Sequence, residues 1–263
     1  MLEPILLSLV IVAFALSWAL YFVGWKQHSP RMEKMASGTL WFGLVVGLMM
    51  LAIRYFSTDQ IPILTAFEFV SSFAFLIIIG YLVFSKPGVR HLLALFVIPI
   101  PLMLLLYALL LPKAVQPEIP IFQSIILKIH VVTCLLAYST WTVTFAASVY
   151  CLAGNNPRIV ATVDQVAYRA AVIAFCFLTL GILTGALWAD QVWGALWSWD
   201  PKETWSFITW LIFLSYLHAR YQHEWQGTRA AILAVAGFAA VVFTYFGVDF
   251  LLPQMHSMGM SPG

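Results

Sequence analysis

Charge is what this chain has least of. Only 9% of its 263 residues are Asp, Glu, Lys or Arg, against about 25% in soluble globular domains, and this excludes an ordinary soluble fold. Cysteine is scarce as well. Cys134, Cys151 and Cys176 stand singly, with no CxxC or CxxCH, so the chain offers neither a dithiol redox centre nor a haem-attachment sequence of its own. All three read as buried structural thiols. No internal repeat is evident, which argues against the paired halves of many secondary transporters. Low-complexity sequence is missing too. The 13 Lys and Arg residues are dispersed rather than gathered, so a net charge of +2 marks no nucleic-acid surface.

What is present is hydrophobic length. The chain is 62% hydrophobic, with a mean hydropathy of +0.93. A bilayer crossing needs about 20 apolar residues, and runs of that order fall near 3–24, 38–56, 62–84, 92–111, 126–151, 170–189, 204–221 and 230–248. The expected fold is an all-α integral membrane protein of eight transmembrane helices, forming one polytopic domain over residues 1–263. The first run lacks the charged start, short core and cleavage site of a removable signal, so it reads as a retained helix, with the mature chain starting near Met1. Pro99 and Pro101 should kink the fourth helix, and residues 112–125 form a Pro-rich connection.

Basic residues orient the helices. Lys26, Arg31, Lys34, Lys86, Arg90, Arg158, Arg169, Arg220 and Arg229 lie after odd-numbered helices, whereas the other side holds Arg54, Lys113, Lys128 and Lys202. The positive-inside rule makes the first set cytoplasmic or stromal and puts both termini outside. Residues 188–205, between helices six and seven, then lie on the outer face.

That segment reads WADQVWGALWSWDPKETW. Trp188, Trp193, Trp197, Trp199, Trp205 and Trp210 fall within 23 residues of one another, denser than an interfacial aromatic belt. A flat aromatic surface at a membrane boundary suits a planar amphipathic ligand. If the segment is helical, Trp193 and Trp197 share a face, and Gly194 admits a ring close to the backbone. Asp200, Pro201 and Glu203 read as the cap, first turn and third position of a helix start. Lys202 is either a cation for a ligand's carboxylates or a solvated charge.

The histidines divide by position. His28, His91 and His223 read as solvated loop residues. His130, in an apolar stretch at the outer end of helix five, is a functional candidate because an ionisable group there is costly. His256 lies on the same side in the C-terminal segment. Two imidazoles flanking a flat ligand with carboxylates suit haem, though both residues also fit packing or hydrogen-bonding roles. His218, near the cytoplasmic end of helix seven, is either a haem ligand needing a partner from another chain or a histidine bonded to a backbone carbonyl. Glu68, near the outer end of helix three without an adjacent positive residue, reads as a partner for iron, an anchor for a ligating histidine, or a polar residue at a helix junction.

The Trp segment, with YRAAVIAFCFLTLGILTGALW before it and ITWLIFLSYLHAR and FGVDFLLPQMHSMG after it, resembles the WWD signature of the CcsA/ResC-type cytochrome c biogenesis proteins. IPILTAFEFVSSFAFL resembles that family's outward Glu-bearing segment. The specific part covers roughly residues 120–260. Asp190 stands where Asn is commoner, Leu196 where an aromatic often sits, and Met258 where an aromatic follows the histidine.

The resemblance implies haem b, held non-covalently as substrate, with His130 and His256 as axial ligands of an outer haem against Trp188, Trp193, Trp197 and Trp199. It matches His218 to an intramembrane ligand completed by a CcsB/ResB-type membrane subunit. The implied activity is that of a cytochrome c synthase subunit attaching haem to the CxxCH motif of an apocytochrome c, with a thiol-reducing system involved indirectly. No catalytic residue beyond haem positioning is expected. Asp200, Glu68 and Lys202 complete the expected haem-binding set. The implied setting is a bacterial inner membrane facing the periplasm, in preference to a thylakoid. Alternatives are a haem exporter or chaperone without ligation activity, and a haem b electron-transfer subunit.

Overall fold

The computed structural model describes residues 2–114, 123–222 and 224–248, and among these the regular structure is helical throughout. The helices are α1 (Leu2–Gln27), α2 (Pro30–Thr58), α3 (Ala66–Phe84), α4 (Arg90–Val97), α5 (Pro99–Leu110), α6 (Ile125–Ala153), α7 (Pro157–Trp193), α8 (Pro201–Gln222) and α9 (Thr228–Val242), the last running into a π-turn over Phe243–Gly247. With α4 and α5 counted together as Arg90–Leu110, seven helices are long and apolar enough to cross a membrane. The protein is an all-α integral membrane protein. All eight apolar runs are helical, but α8, with Lys202, Glu203, His218 and Arg220 along it, is not among the seven.

Helix packing gives two compact units, Met1–Ile119 and Pro120–Gly263. In the first, α1 and α2 form an antiparallel hairpin. Buried Ser17 donates to the Ala36 carbonyl at 2.8 Å, and Tyr21 and Ser37 share a 2.8 Å hydroxyl contact. The expected proline kink occurs at Ile98, between α4 and α5. Pro99 has no N–H to give the Leu95 carbonyl four residues back. The Trp18 indole supplies the missing donor, at 3.1 Å.

In the second unit the core is built on Trp141. Fully buried, it stacks on Phe213, meets Tyr216 edge-on and donates its indole N–H to the Ala234 carbonyl at 3.2 Å. It thereby ties α6 to both α8 and α9. The α7 helix begins 13 residues before the expected run, because Asn156 caps it by accepting from Arg158 and Ile159 N–H and Pro157 occupies the first turn. At 37 residues it is about 55 Å long, well beyond the roughly 30 Å hydrocarbon core. The early turns carry Asp164, which receives two bonds from Arg220 Nη1 (2.7 and 2.6 Å) and one from Gly227 N–H (3.2 Å). Arg220, read from sequence as a loop charge, is a buried clamp between α7 and α8. Of the three thiols only Cys151 is buried; Cys134 is partly exposed and Cys176 exposed.

Candidate functional site

Within the second unit, one end gathers the early turns of α6, the last turns of α7 and the start of α8. His130 lies in the second turn of α6. Its Nδ1 is 2.7 Å from the carbonyl oxygen of Gly181 on α7. A carbonyl only accepts, so Nδ1 carries the proton, and in the neutral ring Nε2 is left with the lone pair that a metal requires. This is the arrangement usual for metal-ligating histidines, with the distal ring N–H held by a backbone carbonyl or carboxylate. Cys134, one turn on, places its Sγ 3.7 Å from the same Nδ1. The Lys202 ammonium at the start of α8 lies within electrostatic reach of His130.

The α7 helix runs through WADQVW and stops at Gly194, which has the left-handed φ of 72° of a helix C-cap and whose N–H bonds the Asp190 carbonyl. Trp193 and Trp197 therefore do not share a helical face, because the helix ends between them. The role expected of Gly194 also changes: its missing side chain serves chain reversal. Trp188 is buried and meets Trp193 at 5.2 Å with ring planes 73° apart. Trp197 meets Trp199 at 5.8 Å and 87°. The expected flat surface is instead two edge-on pairs, an arrangement aromatic quadrupoles favour.

The other two tryptophans are structural joints. Trp205 packs on Phe243 of the π-turn at 4.2 Å. Trp210 stacks on Phe207, leans on Phe175 and donates to Thr179 Oγ1 at 2.9 Å. Trp199 is the outlier, with a left-handed φ of 58° and 67% exposure. A bulky side chain in that region costs of order 1–3 kcal/mol, so the connection presents this ring to its surroundings against a local backbone penalty.

Asp200 is buried and caps α8: its Oδ1 accepts from Lys202 N–H at 2.8 Å, and its carbonyl from Thr204 N–H at 2.9 Å. Glu203 does not close the reciprocal capping box. Its carboxylate reaches further back, to Ser198 N–H at 2.8 Å and Ser198 Oγ at 3.2 Å, and so restrains the backbone between Trp197 and Trp199.

His218 is on the exposed side of α8, about 24 Å along the helix from Lys202 at 1.5 Å per residue. His256 and His223 lie outside the described residues. Glu68 belongs to the first unit, and its surroundings differ from those its sequence neighbours suggest. Its Oε1 takes the Arg54 Nε hydrogen bond at 2.5 Å, while its Oε2 accepts from Leu64 and Thr65 N–H, closing a capping box with Thr65. Arg54 also donates to both Glu3 carboxylate oxygens at 3.0 Å and to the Lys113 carbonyl at 3.2 Å. Only 2% exposed, it is committed to these carboxylates and leaves the set of outer cations. Sequence reasoning missed Gly181, the residue that holds His130; the four-residue glycine spacing in GILTG was the available signal.

The fold and this site define an all-α membrane protein with a histidine-bearing, tryptophan-rich end to its second unit. Residues 5–256 match the family described as Cytochrome C assembly protein, and the chain belongs to that family. A Prochlorococcus marinus protein, cytochrome c biogenesis protein CcsA, is 31% identical over 257 residues, covering 84% of this chain and 82% of its own length. The CcsA protein of Chlamydomonas reinhardtii is 33% identical over 228 residues, with 81% of this chain and 65% of that protein covered. That of Gloeobacter violaceus is 47% identical over 125 residues, 48% of this chain but 37% of the relative. The chain thus spans less than two thirds of the last two. Among solved structures, cytochrome c haem lyase CcmF shares the fold, with a TM-score of 0.73 at 20% identity, over 93% of this chain and 46% of that one.

Proposed function

We propose that this chain presents haem for covalent attachment to apocytochrome c, as one subunit of a two-component cytochrome c synthase. The observation that carries the reading is the pinned imidazole of His130: in a member of the cytochrome C assembly family, a histidine with Nδ1 bonded to a carbonyl and Nε2 left for a metal packs against Gly185 of α7, three residues before Trp188, within electrostatic reach of Lys202. His130 and His256 serve as axial ligands on the outer membrane face, periplasmic or lumenal. Trp188, Trp193, Trp197 and Trp199 wall the macrocycle, and Lys202 meets a propionate. Asp200 acts on the site by fixing the start of α8. Glu68 anchors Arg54 and the start of α3.

Haem is received near His218, whose exposed position suits a second ligand from a CcsB/ResB-type subunit, and then passes to the outer site. There the two CxxCH thiols add across the haem vinyl groups: each S–H bond breaks, sulfur bonds to one vinyl carbon, and the proton goes to the other. The addition is redox-neutral, so a thiol-reducing system is needed only to deliver the CxxCH cysteines as thiols. No side chain of this site need act as nucleophile. Holding thiol and vinyl in reacting geometry lowers the barrier by several kcal/mol, within the roughly 7–11 kcal/mol available from proximity.

The test is to purify the complex and replace His130, His256 and His218 singly by Gly, with and without imidazole. Loss of the outer low-spin haem and of cytochrome c maturation in His130→Gly and His256→Gly, with recovery by imidazole, is the expected result. Retention of both in either variant overturns the ligation. Haem bound normally without any covalent product, in cells holding this chain and its partner, would reduce the protein to a haem carrier.

A further inference from the structure

The α6 and α7 helices run antiparallel, and where His130 sits they meet through two matched four-residue steps: His130 and Cys134 on α6, Gly185 and Gly181 on α7. A methyl group built on Gly185 would lie 2.8 Å from both Cε1 and Nδ1 of His130. One on Gly181 would lie 2.7 Å from Cys134 Sγ. Separations this short are not tolerated by carbon, so the ring and the thiol rest directly on the α7 backbone. Small residues four apart commonly let membrane helices approach, but here what fills the groove is the imidazole edge, and the groove hydrogen-bonds it. The Gly181 carbonyl receives Nδ1 at 2.7 Å and the Thr184 hydroxyl at 3.1 Å.

We propose that Gly181 and Gly185 are positioning residues for iron ligation, forming a seat that fixes the depth, rotation and tautomer of His130 so that Nε2 is its coordinating nitrogen. This rests on the reading of His130 as a haem ligand. Neither glycine touches haem; they act through the ring they hold. A ligand held within a few tenths of an ångström by its supporting shell is the condition for reliable coordination.

The experiment compares Gly185→Ala, His130→Gly and Gly237→Ala in the full-length chain purified with its partner, by haem absorption and electron paramagnetic resonance spectra with and without imidazole. Gly237 supplies the control for overpacking, since a methyl there would come within 2.6 Å of Trp141. Gly185→Ala is expected to lose the low-spin haem signal to the same extent as His130→Gly and to regain it with imidazole, while Gly237→Ala shows no imidazole-dependent haem. The seat is disproved if Gly185→Ala keeps the wild-type spectrum, if imidazole restores His130→Gly but not Gly185→Ala, or if Gly237→Ala behaves as Gly185→Ala does. A wild-type spectrum in His130→Gly would instead remove the ligand reading itself.

Discussion

At the scale of single residues, the polar groups that matter most are held by partners far off in sequence. Glu68 and Arg54 are separated by 14 positions, and Asp164 and Arg220 by 56, and nothing in local composition pairs them. That is why Glu68 reads from sequence as a carboxylate without an adjacent positive residue and Arg220 as a loop charge. Removing one member of a buried ion pair leaves an uncompensated charge and costs about 3–5 kcal/mol. Glu68→Ala should therefore lower stability in detergent, measured by thermal or denaturant unfolding, without changing the haem spectrum of whatever protein remains folded. Asp200→Ala should cost about 1 kcal/mol as a lost helix cap, with Asp200→Ser close to neutral. A larger loss of haem than of stability in Asp200→Ala would mean that the carboxylate does more than cap.

At the scale of elements, hydrophobic runs locate helices well and helix ends poorly. All eight runs are helical because burying backbone polar groups in lipid leaves the chain no other economical conformation. The α7 helix is misjudged because Arg158, Asp164 and Arg169 break the apolar pattern although Asn156 and Pro157 mark a strong start; the cap was legible, and the hydropathy count outweighed it. The α4–α5 break was legible from Pro99, whereas its remedy was not, since Trp18 is 77 residues from Leu95. Trp18→Phe keeps the ring and removes the donor. It should destabilise by about 1–3 kcal/mol, the cost of a carbonyl left without its partner, read as a lower unfolding midpoint. At the other functional helix end, Gly194→Ala forces a Cβ into a left-handed residue. It is expected to cost of order 1 kcal/mol and to reduce Trp fluorescence anisotropy as the segment loosens.

At the scale of the molecule, two units with separate cores imply separable stabilities. Trp141→Ala should remove about 3–5 kcal/mol from the second unit and leave the unfolding of the first unchanged, a result visible as the shift of one of two transitions followed by proteolysis of site-specific tags. A single transition that moves as a whole would show the units to be cooperative. The candidate site was legible as a list of residue types but not as a shape: the tryptophans suggested a plane, and the backbone turn at Gly194 produces walls. The α8 helix has a consequence of another kind. It is fastened at its start by Asp200 and Glu203 and near its end by Arg220, and between these fastenings lies one uninterrupted run of helical hydrogen bonds. Lys202 and His218 are thus the two marks on a ruler whose length is set by peptide geometry. On the proposed haem path, substitutions that keep the helix intact leave this span constant, so selection can tune how tightly each end grips and when it lets go.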